Sequence, residues 1–165
     1  MLTGVESPPI EITARRFAEE RHANQRYGDA PYVEHLEHVR AILAGFGYGG
    51  AFGVAAWLHD TVEDTPTTRE EIAALFGEEV AALVWAVTGI GVNRKARNLD
   101  AYAKIRAHPA AAVLKLADRI ANVEASANRP DKLGMYQREF DSFREALVGL
   151  GDERMWARLN QVLGR

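Results

Sequence analysis

The stretch Trp57-Leu58-His59-Asp60-Thr61-Val62-Glu63-Asp64 places a histidine and three acids at the end of an apolar segment. A buried apolar helix gains nothing from such side chains, so their presence indicates a site that uses them. On a helix, positions four apart share a face, which would put His59 beneath Glu63 and Asp60 beneath Asp64. His59 and Asp60 could then reach one metal ion, and the two carboxylates of the next turn could reach a water molecule beside it.

Two further ligand types, His35 and Asp118, lie in mainly apolar segments elsewhere in the chain. Together with His59 and Asp60 they supply two imidazoles and two carboxylates, a set that suits Mn²⁺, Fe²⁺ or Zn²⁺ with positions left open for water and substrate. Such an ion usually serves to lower the pKa of water. In this interpretation the acids of the next turn orient that water or move its proton.

Each of these residues also has an ordinary structural explanation. His35 alone could be a helix cap or a core histidine, and Asp118 alone could be a partner for Lys115 or Arg119. The adjacent pair of His59 and Asp60 could be a coincidence. Their joint occurrence is what favours a metal site over these alternatives.

Apolar residues recur at helical spacing along most of the chain, and no segment alternates as a strand does. Residues 25–31 are predicted to form a loop. Residues 89–98, which include Arg94, Lys95 and Arg97, are predicted to form a basic loop or a helix entrance. The predicted fold is all-α with roughly nine helices in a single domain, residues 1–165, of which 1–9 form a flexible arm. The predicted helices span residues 10–23, 32–46, 51–62, 69–76, 78–88, 100–107, 110–127, 131–150 and 153–163.

The composition limits the function classes. Hydrophobic residues make up 47% and charged residues 26% of the chain, as in a folded globular protein. The absence of cysteine excludes disulfides and thiolate chemistry, and the net charge of −3 argues against a general nucleic-acid surface. No apolar run approaches the ~20 residues that span a bilayer, and the first residues do not resemble a signal peptide. A cytoplasmic protein without membrane or nucleic-acid partners is expected; an oligomer remains possible.

The motifs resemble those of the HD-domain metal-dependent phosphohydrolases, and within them the hydrolase domain of RelA/SpoT-type alarmone enzymes. The resemblance extends from about Phe17 to Val123. It is carried by Pro31-Tyr32-Val33-Glu34-His35, Leu58-His59-Asp60-Thr61-Val62-Glu63-Asp64-Thr65, Phe76-Gly77-Glu78-Glu79-Val80, and Lys115-Leu116-Ala117-Asp118-Arg119 with Asn122. With 165 residues and no synthetase or regulatory domain in view, the chain looks like a stand-alone small alarmone hydrolase.

The resemblance implies an HD-domain helical bundle that binds one Mn²⁺ through His35, His59, Asp60 and Asp118. It implies that Glu63 and Asp64 assist attack by water on the phosphorus attached at the ribose 3′ position. The implied products are pyrophosphate and a nucleoside 5′-diphosphate or 5′-triphosphate.

The resemblance also implies where the nucleotide binds. Asn122 matches an asparagine that contacts the nucleotide, and Lys95 and Arg97 lie where relatives carry a phosphate-binding basic segment. Relatives have an arginine and a lysine nine and eight residues before the first histidine ligand, where this chain has Arg26 and Tyr27. Both can stack on a base, but Tyr27 offers no ammonium. The preference between guanine and adenine alarmones is therefore open.

Two other functions remain as alternatives. One is a different HD-domain nucleotidase or phosphatase, which the pair of Glu63 and Asp64 argues against. The other is a non-catalytic module that senses a nucleotide or neutralises a partner synthetase. That all four ligand types and both acids are present argues against this second alternative.

Overall fold

The structure is a computed structural model that describes residues 9–165, so the predicted arm lies outside it apart from Pro9. The described residues form ten helices and one minimal hairpin, which confirms the predicted all-α fold of roughly nine helices. The helices are α1 (Pro9–Arg21), α2 (Val33–Gly45), α3 (Ala51–Leu58), α4 (Thr61–Asp64), α5 (Arg69–Phe76), α6 (Glu78–Val87), α7 (Arg94–Ala107), α8 (Ala111–Ala125), α9 (Pro130–Leu147) and α10 (Glu153–Val162). The strands are β1 (Arg26–Tyr27) and β2 (Ala30–Pro31). In the described part, no helix combines the length and apolar character that crossing a bilayer requires.

The bundle is organised around α8, which packs against α2, α3, α6, α7, α9 and α10. Leu114, Leu116 and Ile120 of this helix are fully buried and form part of the core. Asp118 and Arg119 lie on the same helix and are also buried. The central helix of the fold therefore carries one of the predicted metal ligands into the interior.

A single helix over residues 51–62 was expected, and this prediction is wrong. Helix α3 ends at Leu58 and the short helix α4 begins at Thr61, so His59 and Asp60 form the turn between them. Asp60 adopts φ −102° and ψ −1°, outside regular helix geometry. The buried hydroxyl of Thr61 donates a hydrogen bond to the carbonyl oxygen of Leu58 at 2.7 Å, which satisfies a group that the break would leave unpaired.

The predicted loop at residues 25–31 contains the hairpin. Arg26 lies opposite Pro31 and Tyr27 lies opposite Ala30 in antiparallel register. The connecting turn places Gly28 at φ 61°, a conformation that glycine adopts without strain. This hairpin sets the position of Tyr27 just before α2.

Helix α7 begins six residues earlier than the predicted helix at Asp100. The side chain of Asn93 caps it by accepting a hydrogen bond from the backbone N–H of Ala96 at 2.8 Å. Gly89 packs so closely that a Cβ atom there would lie 2.5 Å from the carbonyl oxygen of Arg97. The basic residues of this segment are consequently helical, and helical geometry decides which way each of them faces.

Candidate metal centre

His35, His59, Asp60 and Asp118 come together, and one ligand atom of each lies within 4.8 Å of the others. The Nε2 atoms of His35 and His59 lie 3.1 Å and 3.2 Å from Oδ1 of Asp118. Oδ2 of Asp60 lies 3.1 Å from Nε2 of His59 and 3.6 Å from Nε2 of His35. Residues from α2, the α3–α4 turn and α8 therefore converge on one point, as the sequence predicts.

Three of these side chains have further contacts that orient them. Nδ1 of His59 donates to the carbonyl oxygen of Ala56 at 2.7 Å, which leaves Nε2 directed at the cluster. The hydroxyl of Tyr32 donates to Oδ2 of Asp60 at 2.5 Å. Lys115 donates to Oδ2 of Asp118 at 3.2 Å. The donor set of two imidazole nitrogens and two carboxylate oxygens, converging with this support, fits a divalent first-row metal ion.

The charges in the cluster are mutually stabilising. Burial opposes ionisation of Asp60, but the positive charge that His59 can carry and the hydrogen bonds from His35 and His59 lower its pKa. Burial also disfavours the charged imidazoles, yet the neighbouring carboxylates raise the pKa of both His35 and His59. Two buried carboxylates thus require positive charge beside them, which protonated imidazoles or a divalent cation can supply.

These contacts distinguish the metal interpretation from the ordinary explanations. Asp118 does accept a hydrogen bond from Lys115, but Arg119 is committed to Glu139 at 3.1 Å. His35 lies in the first turn of α2 and is not its cap, since the N-cap position is Tyr32. Neither a cap nor a simple ion pair accounts for two histidines on one carboxylate oxygen.

A cavity of about 650 Å³ opens beside the cluster, and Glu63 and Asp64 lie on its wall. Oε1 of Glu63 accepts a hydrogen bond from the backbone N–H of Gly89 at 2.9 Å, and Oδ2 of Asp64 accepts one from Gln25 at 3.2 Å. Partial burial and the negative charge of Asp60 raise the pKa of both acids. The structure therefore brings both predicted catalytic acids to the cavity that His35, Asp60 and Asp118 also line.

Basic residues line the same cavity, among them Arg94, Arg97 and Lys115. Arg94 is engaged by Glu139 at 2.7 Å, and Lys115 by Asp118, whereas Arg97 forms no ion pair with any described residue. Lys95, also predicted to bind substrate, does not line this cavity. It lies on an adjacent groove that Arg138 also lines.

A second pocket, about 430 Å³ in volume, shares His35 with the main cavity. Arg26 and Tyr27 line it, and Asn122 lines both pockets. The hydroxyl of Tyr27 donates to Oδ1 of Asn122 at 2.7 Å, and burial raises the pKa of that hydroxyl, so it remains a donor. Four of the five predicted substrate-binding residues thus line one or both of the two pockets that share His35, and Lys95 lines neither.

Six polar residues that line the main cavity were not assigned roles from the sequence: Tyr32, Arg94, Asn98, Lys115, Arg119 and Tyr136. Lys115 precedes Asp118 by three residues and so shares its helix face, which is a signal that the sequence does contain. Arg94 precedes Arg97 by three residues in the same way, but only once the segment is known to be helical. For Tyr136, on α9, no local pattern indicates the site.

Comparison with known proteins gives a consistent result. A family model described as an HD domain matches residues 14–142. The guanosine-3′,5′-bis(diphosphate) 3′-pyrophosphohydrolase of Aquifex aeolicus is 43% identical over 117 residues, which cover 67% of this chain but only 17% of that relative. The guanosine-3′,5′-bis(diphosphate) 3′-pyrophosphohydrolase MESH1 of Danio rerio is 41% identical over 125 residues, which cover 71% of this chain and 69% of the relative.

Among solved structures, a metazoan orthologue of SpoT, described as hydrolysing ppGpp, superposes with a TM-score of 0.83. The match covers 98% of this chain and 97% of that one at 23% sequence identity, and so supports the fold. Since the HD-domain match covers most of the chain and includes all four clustered ligands, the chain belongs to the HD-domain family.

Proposed function

We propose that this chain is a metal-dependent pyrophosphohydrolase that removes the 3′-diphosphate of guanosine tetraphosphate or pentaphosphate, or of the adenosine counterparts. The observation that carries the proposal is the convergence of His35, His59, Asp60 and Asp118 beside a cavity that both acidic and basic side chains line. The Danio rerio relative, whose name states this reaction, covers 71% of this chain and supports the choice of substrate.

We propose Mn²⁺ as the ion, bound by the two histidines and two aspartates of the cluster. A divalent ion supplies Lewis acidity, which makes water a competent nucleophile near neutral pH and offsets phosphate charge. Imidazole and carboxylate ligands suit Mn²⁺ but also bind Fe²⁺ and Zn²⁺. Activity measured with each of these ions in turn distinguishes between them.

Glu63 and Asp64 are proposed to orient the attacking water and to accept its proton. Each has one carboxylate oxygen held by a described neighbour, Gly89 or Gln25. The second oxygen of each forms no hydrogen bond with a described residue and is available to water in the cavity. Fixing one oxygen while leaving the other accessible is the arrangement that a general base needs.

In the proposed reaction the water oxygen forms a bond to the phosphorus attached to the ribose 3′ oxygen. The bond between that phosphorus and the 3′ oxygen breaks, and the 3′ oxygen takes up a proton. One water is consumed, and pyrophosphate and a nucleoside 5′-diphosphate or 5′-triphosphate leave. The step needs no redox partner.

The remaining site residues are proposed to bind the nucleotide. Arg97, helped by Lys115, meets phosphate charge in the main cavity, where an anion needs a positive wall within an otherwise acidic protein. Arg26 and Tyr27 line the second pocket, where we place the base. Asn122 lines both pockets. We therefore propose that it contacts the ribose, which joins the base in the second pocket to the phosphates in the main cavity.

We also place this activity in the cytoplasm. A sequence of 165 residues without cysteine suits a reducing compartment.

The test is an assay with Mn²⁺ and guanosine tetraphosphate or its adenosine analogue in water enriched in ¹⁸O, with a chelator as control and products separated by ion exchange. We expect pyrophosphate that carries the label, and an unlabelled nucleoside diphosphate. Orthophosphate as the product would indicate a different HD-domain phosphatase. No chelator-sensitive cleavage of either nucleotide would overturn the proposal.

Asp60→Asn tests the metal site directly, because it removes one ionised ligand while keeping the side-chain shape. We expect hydrolysis to fall by at least about 100-fold, because loss of a residue that only supports a metal ligand already costs up to about that much, while the far-ultraviolet circular dichroism stays helical. The matched control is Asp141→Asn, because Asp141 is 88% exposed and lies outside both pockets. This control should retain wild-type activity.

A further inference from the structure

The two histidines of the cluster are supported differently. The ring of His59 is fixed by a hydrogen bond from Nδ1 to the carbonyl oxygen of Ala56. Nδ1 of His35 is buried and has no hydrogen-bond partner among residues 9–165. Packing must therefore hold the His35 ring in the orientation that directs Nε2 at the cluster.

Tyr27 supplies that packing. Its ring stacks on the His35 ring with centroids 4.6 Å apart and planes 19° apart, while Tyr32 contacts the same ring at a larger distance of 5.5 Å and a tilt of 57°. A parallel stack over a buried imidazole restricts rotation about the bond between Cβ and the ring. Tyr27 thus fixes the plane of a ligand that lacks a hydrogen bond.

The hydroxyl of Tyr27 reaches a second ligand through Asn122. It donates to Oδ1 of Asn122 at 2.7 Å, and Nδ2 of Asn122 donates to Oδ1 of Asp118 at 3.1 Å. Because the hydroxyl occupies the amide oxygen, the amide nitrogen is directed at the carboxylate. Removal of the hydroxyl leaves Oδ1 of Asn122 without this donor, so the amide that donates to Asp118 is held less firmly.

We propose that Tyr27 is a positioning residue for the metal centre, acting on His35 through ring stacking and on Asp118 through Asn122. This role goes beyond contact with a base, because one face of the ring and the hydroxyl are already engaged by the protein. It rests on the proposed divalent-ion site but not on the identity of the nucleotide.

The test measures Mn²⁺ binding by the whole chain without nucleotide, using the electron paramagnetic resonance signal of free Mn²⁺. Loss of a supporting residue around a metal typically weakens binding by about 10- to 100-fold. Tyr27→Phe keeps the stack and loses only the relay, so its dissociation constant should rise by about threefold to tenfold, below that range. Tyr27→Leu loses both contacts and should fall within it. Tyr48→Phe is the matched control, since its hydroxyl bonds to Asp152 away from both pockets, and it should bind Mn²⁺ as the wild type does.

A double-mutant comparison tests the relay. Tyr27→Phe should add little further loss in an Asn122→Ala background, because the hydroxyl acts through that amide. Fully additive losses would contradict the relay.

The outcomes separate this proposal from the proposed function. A rise in KM for the nucleotide in Tyr27→Phe and Tyr27→Leu, with unchanged Mn²⁺ affinity, would mean that Tyr27 only contacts the base and would overturn the positioning role. Unchanged Mn²⁺ affinity together with unchanged kinetics would overturn it as well. Failure of the wild-type chain to bind Mn²⁺ would overturn this proposal together with the proposed metal site.

Discussion

Arg97 and Lys95 provide a sharp test of how the basic segment is used, because both were predicted to bind phosphate and only Arg97 lines the cavity. On a helix, residues two apart point in different directions, about 200° apart around the axis. Helix α7 begins at Arg94, so both side chains belong to regular helix and this separation applies. We expect Arg97→Ala to impair hydrolysis strongly and Lys95→Ala to impair it little.

The expected loss of kcat/KM in Arg97→Ala follows from the environment of Arg97. It is half-buried in the cavity wall and forms no ion pair with a described residue, so its donors are available to the substrate. A hydrogen bond to a charged group contributes about 1.5–3 kcal/mol. At about 1.4 kcal/mol for each factor of ten, Arg97→Ala should lower kcat/KM by roughly 10- to 150-fold. Lys95 is exposed to solvent, where salt screens charges over about 8 Å, and its loss should change kcat/KM by less than about twofold.

The assay is steady-state hydrolysis of guanosine tetraphosphate at fixed Mn²⁺ and two salt concentrations. The wild type and Lys95→Ala should lose kcat/KM alike as salt rises, and Arg97→Ala should lose less because one charge contact is already absent. Arg97→Lys keeps the charge and should recover part of the loss. Equal losses in Arg97→Ala and Lys95→Ala, or a larger loss in the latter, would refute this reasoning about the helix face.

Two further predictions concern the scaffold. Glu11 is buried and accepts hydrogen bonds from Arg40 and from Nε1 of Trp57 at 3.1 Å, so Glu11→Ala should lower the free energy of unfolding by about 2–3 kcal/mol in urea denaturation, because it leaves both donors unpaired. Burial opposes ionisation of Glu124, but hydrogen bonds from Arg158 and His38 lower its pKa. The stabilising effect of the ionised Glu124 is therefore present above the ordinary glutamate pKa of about 4.3 and is lost as pH falls below it. Glu124→Gln should consequently lose less free energy of unfolding than the wild type between pH 6 and pH 3.5.

The Glu11→Ala prediction has a matched control in the same helix. Glu19 forms an ion pair with Arg15 in which both side chains are 43% exposed, so Glu19→Ala should change the free energy of unfolding by less than about 1 kcal/mol. An equal effect of Glu11→Ala and Glu19→Ala would contradict the importance of burial. Parallel acid curves for Glu124→Gln and the wild type would contradict the role of the Glu124 ion pair.

Helix α5 shows what local sequence can predict. Its observed span, Arg69–Phe76, equals the predicted one, since Thr68 accepts a hydrogen bond from the backbone N–H of Glu71 and Gly77 ends the helix at φ 95°. Caps of this kind are local and carry residue-type signatures. Most other predicted helices also match to within a few residues because their apolar spacing is regular.

The break between α3 and α4 shows what local sequence does not predict. The apolar pattern continues through Val62, so periodicity alone favours one helix. The break lies at the two residues that must direct their side chains to a common point with His35 and Asp118. This requirement comes from α2 and α8, which are far away in sequence, and propensity within the segment does not contain it.

The site itself was predicted mainly through the family resemblance and only partly through spacing. Residue types identified His35, His59, Asp60 and Asp118 as possible ligands, but each had a structural alternative, and no spacing rule gives the distance between separate helices. Lys95 and Arg97 show that local sequence also did not predict which side chain of a basic segment faces the site. Without the start of α7 at Arg94, the direction of either side chain was undetermined.

Asp118 shows why a buried ligand is hard to identify from sequence and yet fits its place in the fold. Eleven of the fifteen residues of α8 are buried, an environment that by itself would keep a carboxyl group neutral. Burial does oppose ionisation of Asp118, but the charge of Lys115 and the hydrogen bonds from His35 and His59 hold its pKa well below the usual range. The Asp118 carboxylate is thus stabilised in the core only because α2, the α3–α4 turn and α8 itself bring positive or hydrogen-bonding groups to it. The same set of neighbours that makes the charge tolerable also makes it a ligand site, so fold and function impose one requirement on these residues.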